Sequence, residues 1–233
     1  MPLRSSESSS MNIARHFAIL LVAVCCASAA MAQAVLEDAP ASAPSGPAAM
    51  PTAVPWEFNL SLSGYDVPNG QSFASPTFTV DRQALHIEAR YNYEALQSGS
   101  LWLGYNWSVG KKVTLDATPM IGGVFGNVNA IAPGLECTVT YKKLELYSAN
   151  EYIFNTDTKA GDFFYTWTQL LYSPVQWLSA GYVVQRTRTY HTSLDIQRGV
   201  MVQFAWKKTT FATQAFNMGE TDPVFVFSLG RSF

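Results

Sequence analysis

The last nine residues of the chain, Phe225 to Phe233, alternate between two kinds of side chain. Successive side chains of an extended strand point to opposite faces, so residues two apart share a face. Small or aliphatic residues occupy one face, and Arg231 is the only charge on the other. That other face is otherwise apolar: Phe225, Phe227, Leu229 and Phe233. A strand of this kind needs a sheet with one face turned away from water, which restricts the chain to β architectures.

The same alternation continues upstream to Trp56 and is divided into short segments by turn signals. The count of strands depends on Thr77 to Tyr93, which we divide at Asp81-Arg82-Gln83 because an undivided strand would give an odd total. Ten strands is the alternative count. The twelve predicted strands are residues 56–65, 75–80, 84–94, 100–109, 112–122, 132–141, 143–154, 162–172, 175–187, 195–206, 209–218 and 223–233.

The predicted connections alternate in length along the chain. The short ones are Asp81–Gln83, Gly110–Lys111, Lys142, Ser173–Pro174 and Lys207–Lys208. The longer ones are 66–74, 95–99, 123–131, 155–161, 188–194 and 219–222. Short turns at one end and long loops at the other are typical of an up-and-down barrel, whereas Greek-key sandwiches do not keep that order.

The final strand, with Phe233 as its carboxyl-terminal aromatic, resembles the closing strand of Gram-negative outer-membrane β-barrels. The resemblance implies an all-β fold, a single antiparallel transmembrane β-barrel with its short turns in the periplasm. It also implies residence in the outer membrane and a small channel or porin-like role. The implied partners are outer-membrane lipid, lipopolysaccharide, and the barrel-assembly machinery that reads the strand ending in Phe233. It leaves the oligomeric state open.

The amino terminus is typical of a secreted protein. An apolar run from Phe17 to Ala27 is followed by the small-x-small site Ala30-Met31-Ala32, which predicts cleavage before Gln33. Translation from Met1 and from Met11 are both compatible with this signal. A lipoprotein signal ending at Cys25 is the alternative, with a poor lipobox before it. The predicted division is a signal peptide at 1–32, a disordered Ala/Pro-rich periplasmic segment at 33–55 and the barrel at 56–233.

Six tryptophans give a test of the barrel orientation. Indole rings favour the lipid headgroup level. We predict that Trp56, Trp107, Trp177 and Trp206 form a girdle at the end of the barrel that has the short turns. The alternation of side chains along the ninth predicted strand nevertheless places Trp177 on the inner face. Trp102 is expected at the opposite rim and Trp167 near mid-strand.

Parity places polar side chains on the inner face, where an unpaired charge in a dry interior would be very costly. The interior is therefore either wet or a tight hydrogen-bonded plug. The candidate lumen-lining and selectivity residues are His86, Glu88, Arg90, Asp116, Glu136 and Glu145. Their acidic excess predicts a pore for small neutral solutes or cations; the alternative is a structural network around Arg90. The segment Gly122 to Asn127 is expected either to constrict the lumen or simply to bend a hairpin.

A second candidate cluster lies at the predicted loop end: Arg186, Arg188 and Arg198. Guanidinium groups there match lipopolysaccharide phosphates in geometry. The alternative is ordinary solvated loop charge.

Other functional classes receive less support. An outer-membrane lipid hydrolase is the alternative function, because Ser148 and Asn150 interrupt the lipid face of the seventh strand, but no histidine is expected on that face. Those two residues could instead contact a partner subunit. A soluble barrel for a lipophilic ligand would need the opposite polarity. The sequence shows no metal-ligand spacing, cofactor motif or basic block, so we expect no metal, no cofactor and no nucleic acid.

Overall fold

The computed structural model describes residues 54–68, 70–156, 161–189 and 195–233, and these form one antiparallel sheet. Its strands are β1 (Glu57–Asp66), β2 (Phe73–Arg82), β3 (Leu85–Tyr91), β4 (Ser98–Tyr105), β5 (Trp107–Gly110), β6 (Val113–Gly126), β7 (Ala130–Tyr141), β8 (Leu144–Asn155), β9 (Phe163–Val175), β10 (Leu178–Arg186), β11 (Gln197–Trp206), β12 (Thr209–Phe216) and β13 (Val224–Ser232). No helix long and apolar enough to cross a bilayer occurs in the described part of the chain.

The sheet closes on itself. Apart from β4 and β5, which do not pair with each other, each strand pairs with its neighbour along the chain, and the last strand, β13, pairs with β1. The short segments β4 and β5 both pair with β6, one after the other, because Asn106 interrupts a single predicted strand. The prediction of an all-β antiparallel barrel of twelve strands is confirmed, with β5 as one extra segment. The division of 77–93 is also confirmed, since the chain turns at Gln83 and Ala84 between β2 and β3.

The two ends of the barrel differ as predicted. At one end, the turn end, every connection between strands has two residues: Gln83–Ala84, Lys111–Lys112, Lys142–Lys143, Gln176–Trp177 and Lys207–Lys208. At the other end, the loop end, the connections are 67–72, 92–97, 127–129, 156–162, 187–196 and 217–223.

One local prediction was wrong, and one pair of alternatives is decided. The turn expected at Ser173–Pro174 lies three residues later, because the β9 ladder continues through Val175. The expected constriction at 122–127 does not exist: Gly122 to Gly126 stay paired with β4 and β7, which leaves a hairpin loop of only 127–129. The alternative, that these glycines serve the strand itself, is the correct one.

The predicted faces are confirmed within the strands. Tyr93, which the alternation predicted to face outward, lies in the loop after β3 and packs inside the barrel, with Arg90 over its ring. Outward positions carry apolar and aromatic side chains with large exposed areas, among them Leu60, Leu62, Leu101, Leu103, Ile121, Tyr182, Phe227 and Leu229. Inward positions carry the charged and amide side chains. The polarity of the barrel is therefore the inverse of a soluble one, as a barrel in hydrocarbon requires.

The four girdle tryptophans all lie exposed at the turn end. The inward placement of Trp177 was wrong, because Trp177 lies in a turn rather than a strand and stacks on the outward Phe204 at 6.4 Å between ring centroids. Trp102 was also misplaced, since it points into the barrel and is only 2% exposed. Trp167 likewise packs inside the barrel. The predicted signal peptide and almost all of the Ala/Pro-rich segment lie outside the described residues.

Candidate functional site

The barrel interior has two different halves. Toward the loop end it is filled by apolar side chains in two clusters, both of which contact Trp167. The first is formed by Ala95, Trp102, Met120, Val124, Val128, Ala130, Ala132, Ile153, Phe163 and Tyr165. The second is formed by Val67, Leu171, Val183, Met201, Ala212, Phe216, Val224 and Val226. Phe216, Ile153 and Val183 are fully buried, so water does not reach this half, which we call the plug.

Trp102 is the largest side chain of the plug, and two glycines make room for it. A Cβ atom on Gly122 would lie 2.4 Å from the Trp102 ring, and one on Gly134 would lie 3.0 Å from it. The indole Nε1 donates to Glu94 Oε1 at 3.1 Å and to Ser100 Oγ at 3.0 Å. The glycines of β6 and β7 thus allow an aromatic side chain to lie across the interior.

Arg90 on β3 sits beside the plug at the centre of four carboxylates. Its Nη2 lies 2.6 Å from Glu88 Oε2 and 3.2 Å from Glu136 Oε1. Its Nη1 lies 3.5 Å from Glu94 Oε1 and also bonds Glu151 Oε1. The guanidinium stacks on Tyr93, with its carbon 4.3 Å from the ring centroid.

This carboxylate cluster is buried around Arg90, except at Glu136, whose side chain is 22% exposed. The side chains of Arg90 and Glu94 are completely buried, and that of Glu151 is 1% exposed. Charges in such a place are tolerated only when they are paired and hydrogen-bonded. Arg90 therefore pairs at once with carboxylates from β3, from the loop after β3, from β7 and from β8.

A row of polar side chains leads from the carboxylate cluster toward the turn end, hydrogen-bonded from His86 onward. His86 Nδ1 lies 2.8 Å from Asp81 Oδ1, and its Nε2 lies 3.6 Å from Glu88 Oε2. Asn106 Nδ2 donates to the same Asp81 oxygen at 2.7 Å, and Thr118 Oγ1 donates to Asn106 Oδ1 at 2.7 Å. Asn106, which separates β4 from β5, is therefore hydrogen-bonded into the polar interior.

The turn-end half of the interior, which we call the vestibule, is polar and partly open. It contains a cavity of about 200 Å³. The cavity is lined by Asn59, Leu60, Ser61, Thr77, Thr79, Lys208, Thr210, Gly230, Arg231 and Ser232. Hydroxyl groups dominate this wall, so the vestibule offers water-like hydrogen bonding to a small solute.

The structure brings together four of the six predicted lumen residues: His86, Glu88, Arg90 and Glu136. Asp116 is exposed at the turn end, where Ser108 Oγ donates to it. Glu145 is half-buried on β8, opposite Thr140 and Leu171. Sequence reasoning omitted two members of the cluster, Glu94 and Glu151. Parity already placed Glu151 inside, but no sequence signal shows which strands bring its carboxylate to Arg90.

Ser148 and Asn150 point outward at mid-strand, as predicted, and form a polar patch with two threonines of β9. Ser148 Oγ lies 2.9 Å from Thr168 Oγ1, Asn150 Nδ2 donates to Ser148 Oγ at 2.8 Å, and Thr166 Oγ1 donates to Asn150 Oδ1 at 2.8 Å. His86, the one histidine in the described residues, is bonded to Asp81 inside the barrel. A serine hydroxyl without a positioned base is no nucleophile, so this geometry does not support a hydrolase.

The three loop-end arginines occupy two environments. Arg186 and Arg198 are exposed on the outer face at adjacent ends of β10 and β11. The guanidinium of Arg188 lies over the ring of Phe163, 4.7 Å from its centroid. Most of the loop that follows Arg188 lies outside the described residues.

No protein-family model matches the sequence, and no curated protein matches it. Among solved structures, the KdgM porin has a similar fold, with a TM-score of 0.53 and 12% sequence identity over 75% of this chain and 99% of that one. A structure of the KdgM porin in complex with disordered oligogalacturonate gives a TM-score of 0.54 and 11% identity over the same shares. At these identities the likeness establishes the fold.

Proposed function

We propose that the chain is an integral β-barrel of the Gram-negative outer membrane that acts as a narrow channel for small neutral or cationic solutes and rests in a closed state. The observation that carries this proposal is the combination of an apolar exterior with a polar vestibule inside a closed sheet. In hydrocarbon, only such a sheet or a helix leaves no backbone group unpaired. The fold shared with a porin supports the same placement.

The charge of the interior supports the choice of solute. Four carboxylates surround Arg90, and Asp81, Asp116 and Glu145 add further negative charge on inward positions. A lumen lined by one sign of charge repels ions of that sign. The KdgM porin was solved with an acidic oligosaccharide, oligogalacturonate; the acidic interior argues against a polyanionic solute for this chain.

The plug supports a closed resting state, because solutes entering the vestibule meet fully buried side chains before reaching the loop end. Planar-bilayer recording of the purified barrel tests this. We expect rare, small, cation-selective openings from the unmodified chain and frequent openings from the Phe216→Ala variant, in which a side chain of the plug is removed. Phe211→Ala on the outer face of β12 is the matched control and is expected to behave as the unmodified chain.

The packed plug also favours a second candidate function, a purely structural barrel. Absence of unitary currents from both the unmodified chain and Phe216→Ala, in preparations that show the heat-dependent gel shift of a folded barrel, would support the structural role and reject the channel.

The outer surface at the loop end suits lipopolysaccharide. Arg186 and Arg198 point outward side by side, and bidentate pairing to phosphate needs such guanidinium groups. We include Arg188 as a weaker contact, because its guanidinium already lies over Phe163. Replacement of all three by glutamine should reduce lipopolysaccharide retained by the purified barrel; retention equal to that of the unmodified chain would remove this part of the proposal.

The strand ending in Phe233 is the proposed contact for the assembly machinery. Its aromatic side chain is exposed, and its backbone N–H donates to Phe58 O at 2.9 Å, next to the seam with β1. Phe233→Ser should lower the amount of folded barrel in outer membranes without changing refolding in detergent. Equal loss in both assays would indicate a stability effect instead.

A further inference from the structure

Lysine is distributed very unevenly in this chain. Of its seven lysines, six lie in three of the two-residue turns at the turn end: Lys111, Lys112, Lys142, Lys143, Lys207 and Lys208. All six are exposed. The remaining two turns, Gln83–Ala84 and Gln176–Trp177, carry no carboxylate either, so nothing in the five turns neutralises the lysines. We call these six residues the lysine collar.

Acidic residues at the same end occupy the opposite side of the wall. Glu57, Asp81, Asp116 and Glu145 alternate with outward apolar residues and therefore belong to the inner face. Arg82 and Arg231 lie on outward positions beside the collar. Charge is thus largely separated radially at this end, with most cations around the rim and the anions around the mouth; Lys208 and Arg231 also border the vestibule cavity. The collar therefore attracts anions on the outside of the barrel.

Contacts to aromatic rings place the cations at the level of the tryptophan girdle. Lys207 Nζ lies 5.0 Å from the centroid of Trp206, and Lys142 Nζ lies 5.2 Å from that of Tyr141. Arg82 lies over Trp56 at 4.9 Å. Because tryptophan rings mark the headgroup level of a bilayer, these amines lie where lipid phosphates lie. Long basic side chains reach that level by snorkelling from the edge of the hydrocarbon.

We propose that the lysine collar binds the phosphates of anionic glycerophospholipids in the leaflet at the turn end. The proposal rests on the membrane placement proposed above and is independent of channel activity. The turns Lys111–Lys112 and Lys142–Lys143 form its densest part, because β6 and β7 are adjacent and place these two turns side by side. Lys143 Nζ also donates to Pro174 O at 2.7 Å. Lysine acts as a compact point charge and suits a mobile phosphate without needing bidentate geometry.

The proposal is tested with spin-labelled lipids in bilayers that contain the barrel. Labelled phosphatidylglycerol and labelled phosphatidylcholine are compared for their share of the immobilised shell at low salt. We expect a preference for phosphatidylglycerol of at least about three-fold that falls toward one in high salt, because juxtamembrane lysines each contribute to attraction by anionic lipid and salt screens it.

The decisive variant replaces Lys111, Lys112, Lys142 and Lys143 by glutamine. The preference should fall most of the way to one, whereas Gln83→Asn combined with Gln176→Asn, in the two turns that carry no lysine, should leave it unchanged. Lys207→Gln with Lys208→Gln is a smaller second variant, with an intermediate loss expected. The heat-dependent gel shift verifies that each protein is folded.

Three results would overturn the proposal: no preference in the unmodified protein, an unchanged preference in the four-lysine variant, or an equal loss in the variant of the two lysine-free turns. Stabilisation of the detergent-solubilised barrel by a soluble polyanion, without lipid selectivity, would assign the collar to a different partner and also reject it. A barrel that never enters bilayers would instead defeat the membrane placement, and bilayer conductance tests the channel separately.

Discussion

Arg90 is the residue on which the interior depends most. One guanidinium compensates carboxylates contributed by β3, β7, β8 and the loop after β3, and it does so without contact with water. Removing one partner of a buried charge set costs far more than the set itself contributes, because the remaining charges stay buried and unpaired.

Arg90→Met should therefore lower the free energy of unfolding by about 3–5 kcal/mol. Urea unfolding in detergent, followed by tryptophan fluorescence, measures this. Arg186 is an exposed arginine near the loop end of its strand, as Arg90 is near the loop end of β3. Arg186→Met should change the free energy of unfolding by less than about 0.5 kcal/mol. Partial recovery of stability when Arg90→Met is combined with Glu151→Gln would confirm that unpaired buried carboxylates cause the loss. An equal loss in Arg90→Met and in Arg186→Met would contradict this explanation.

Gly122 acts through the space that it leaves for Trp102. Gly122→Ala puts a methyl group against the indole ring, and overpacking of this kind costs about 1–3 kcal/mol. Gly123→Ala is the matched control, because nothing lies within 4 Å of that position and its side faces outward. Unfolding experiments should show a loss for Gly122→Ala alone. Equal stabilities would show that the indole ring moves aside freely.

At the scale of the element, β8 and β9 carry the polar patch in the middle of their lipid-facing sides. Leu146 and Leu170 flank it toward the turns, and Phe154 flanks it toward the loops. Its hydroxyl and amide groups bond one another, which reduces the cost of exposing them to hydrocarbon.

Asn150→Leu should leave the free energy of unfolding unchanged or raise it, because it exchanges an amide for an apolar group on a lipid-facing surface. Leu146→Asn, two strand positions from Ser148 on the same face, is the reverse control and should destabilise the barrel in bilayers. A large loss of stability in Asn150→Leu would show that the hydrogen bonds of the patch stabilise the barrel by more than the exposure of its polar groups to lipid destabilises it.

Strands and faces were predictable from the sequence because a period of two and short turn signals are local properties. All twelve predicted strands exist, and the outward set from Leu60 to Leu229 is correct. The failures came from non-local packing. Whether Trp102 lies in the girdle or in the plug depends on Gly122 of the paired strand β6 and on Gly134 of β7. The partners of Arg90 depend on the side chains that fill the space between β3 and β8. The prediction for Trp177 failed because the turn was placed at Ser173–Pro174, whereas the actual turn contains Trp177 itself.

For the whole molecule, radial charge separation predicts ion selectivity. Asp116→Asn combined with Glu145→Gln, made in the Phe216→Ala background, should lower the ratio of cation to anion permeability toward one. Reversal potentials in a salt gradient measure that ratio. Glu220→Gln, in a loop at the loop end, serves as the control. A permeability ratio that does not change when Asp116 and Glu145 are both replaced would show that other residues set the selectivity.

The seam between β1 and β13 has a kinetic consequence. Ser63 and Ser228, whose hydroxyls meet at 2.9 Å, are separated by 165 positions along the polypeptide. The seam cannot form before both β1 and β13 have been synthesised, and contacts this distant in sequence form slowly. Until β13 arrives, β1 keeps an unpaired hydrogen-bonding edge, so this topology leaves the loss of its last free edge to the strand made last of the two.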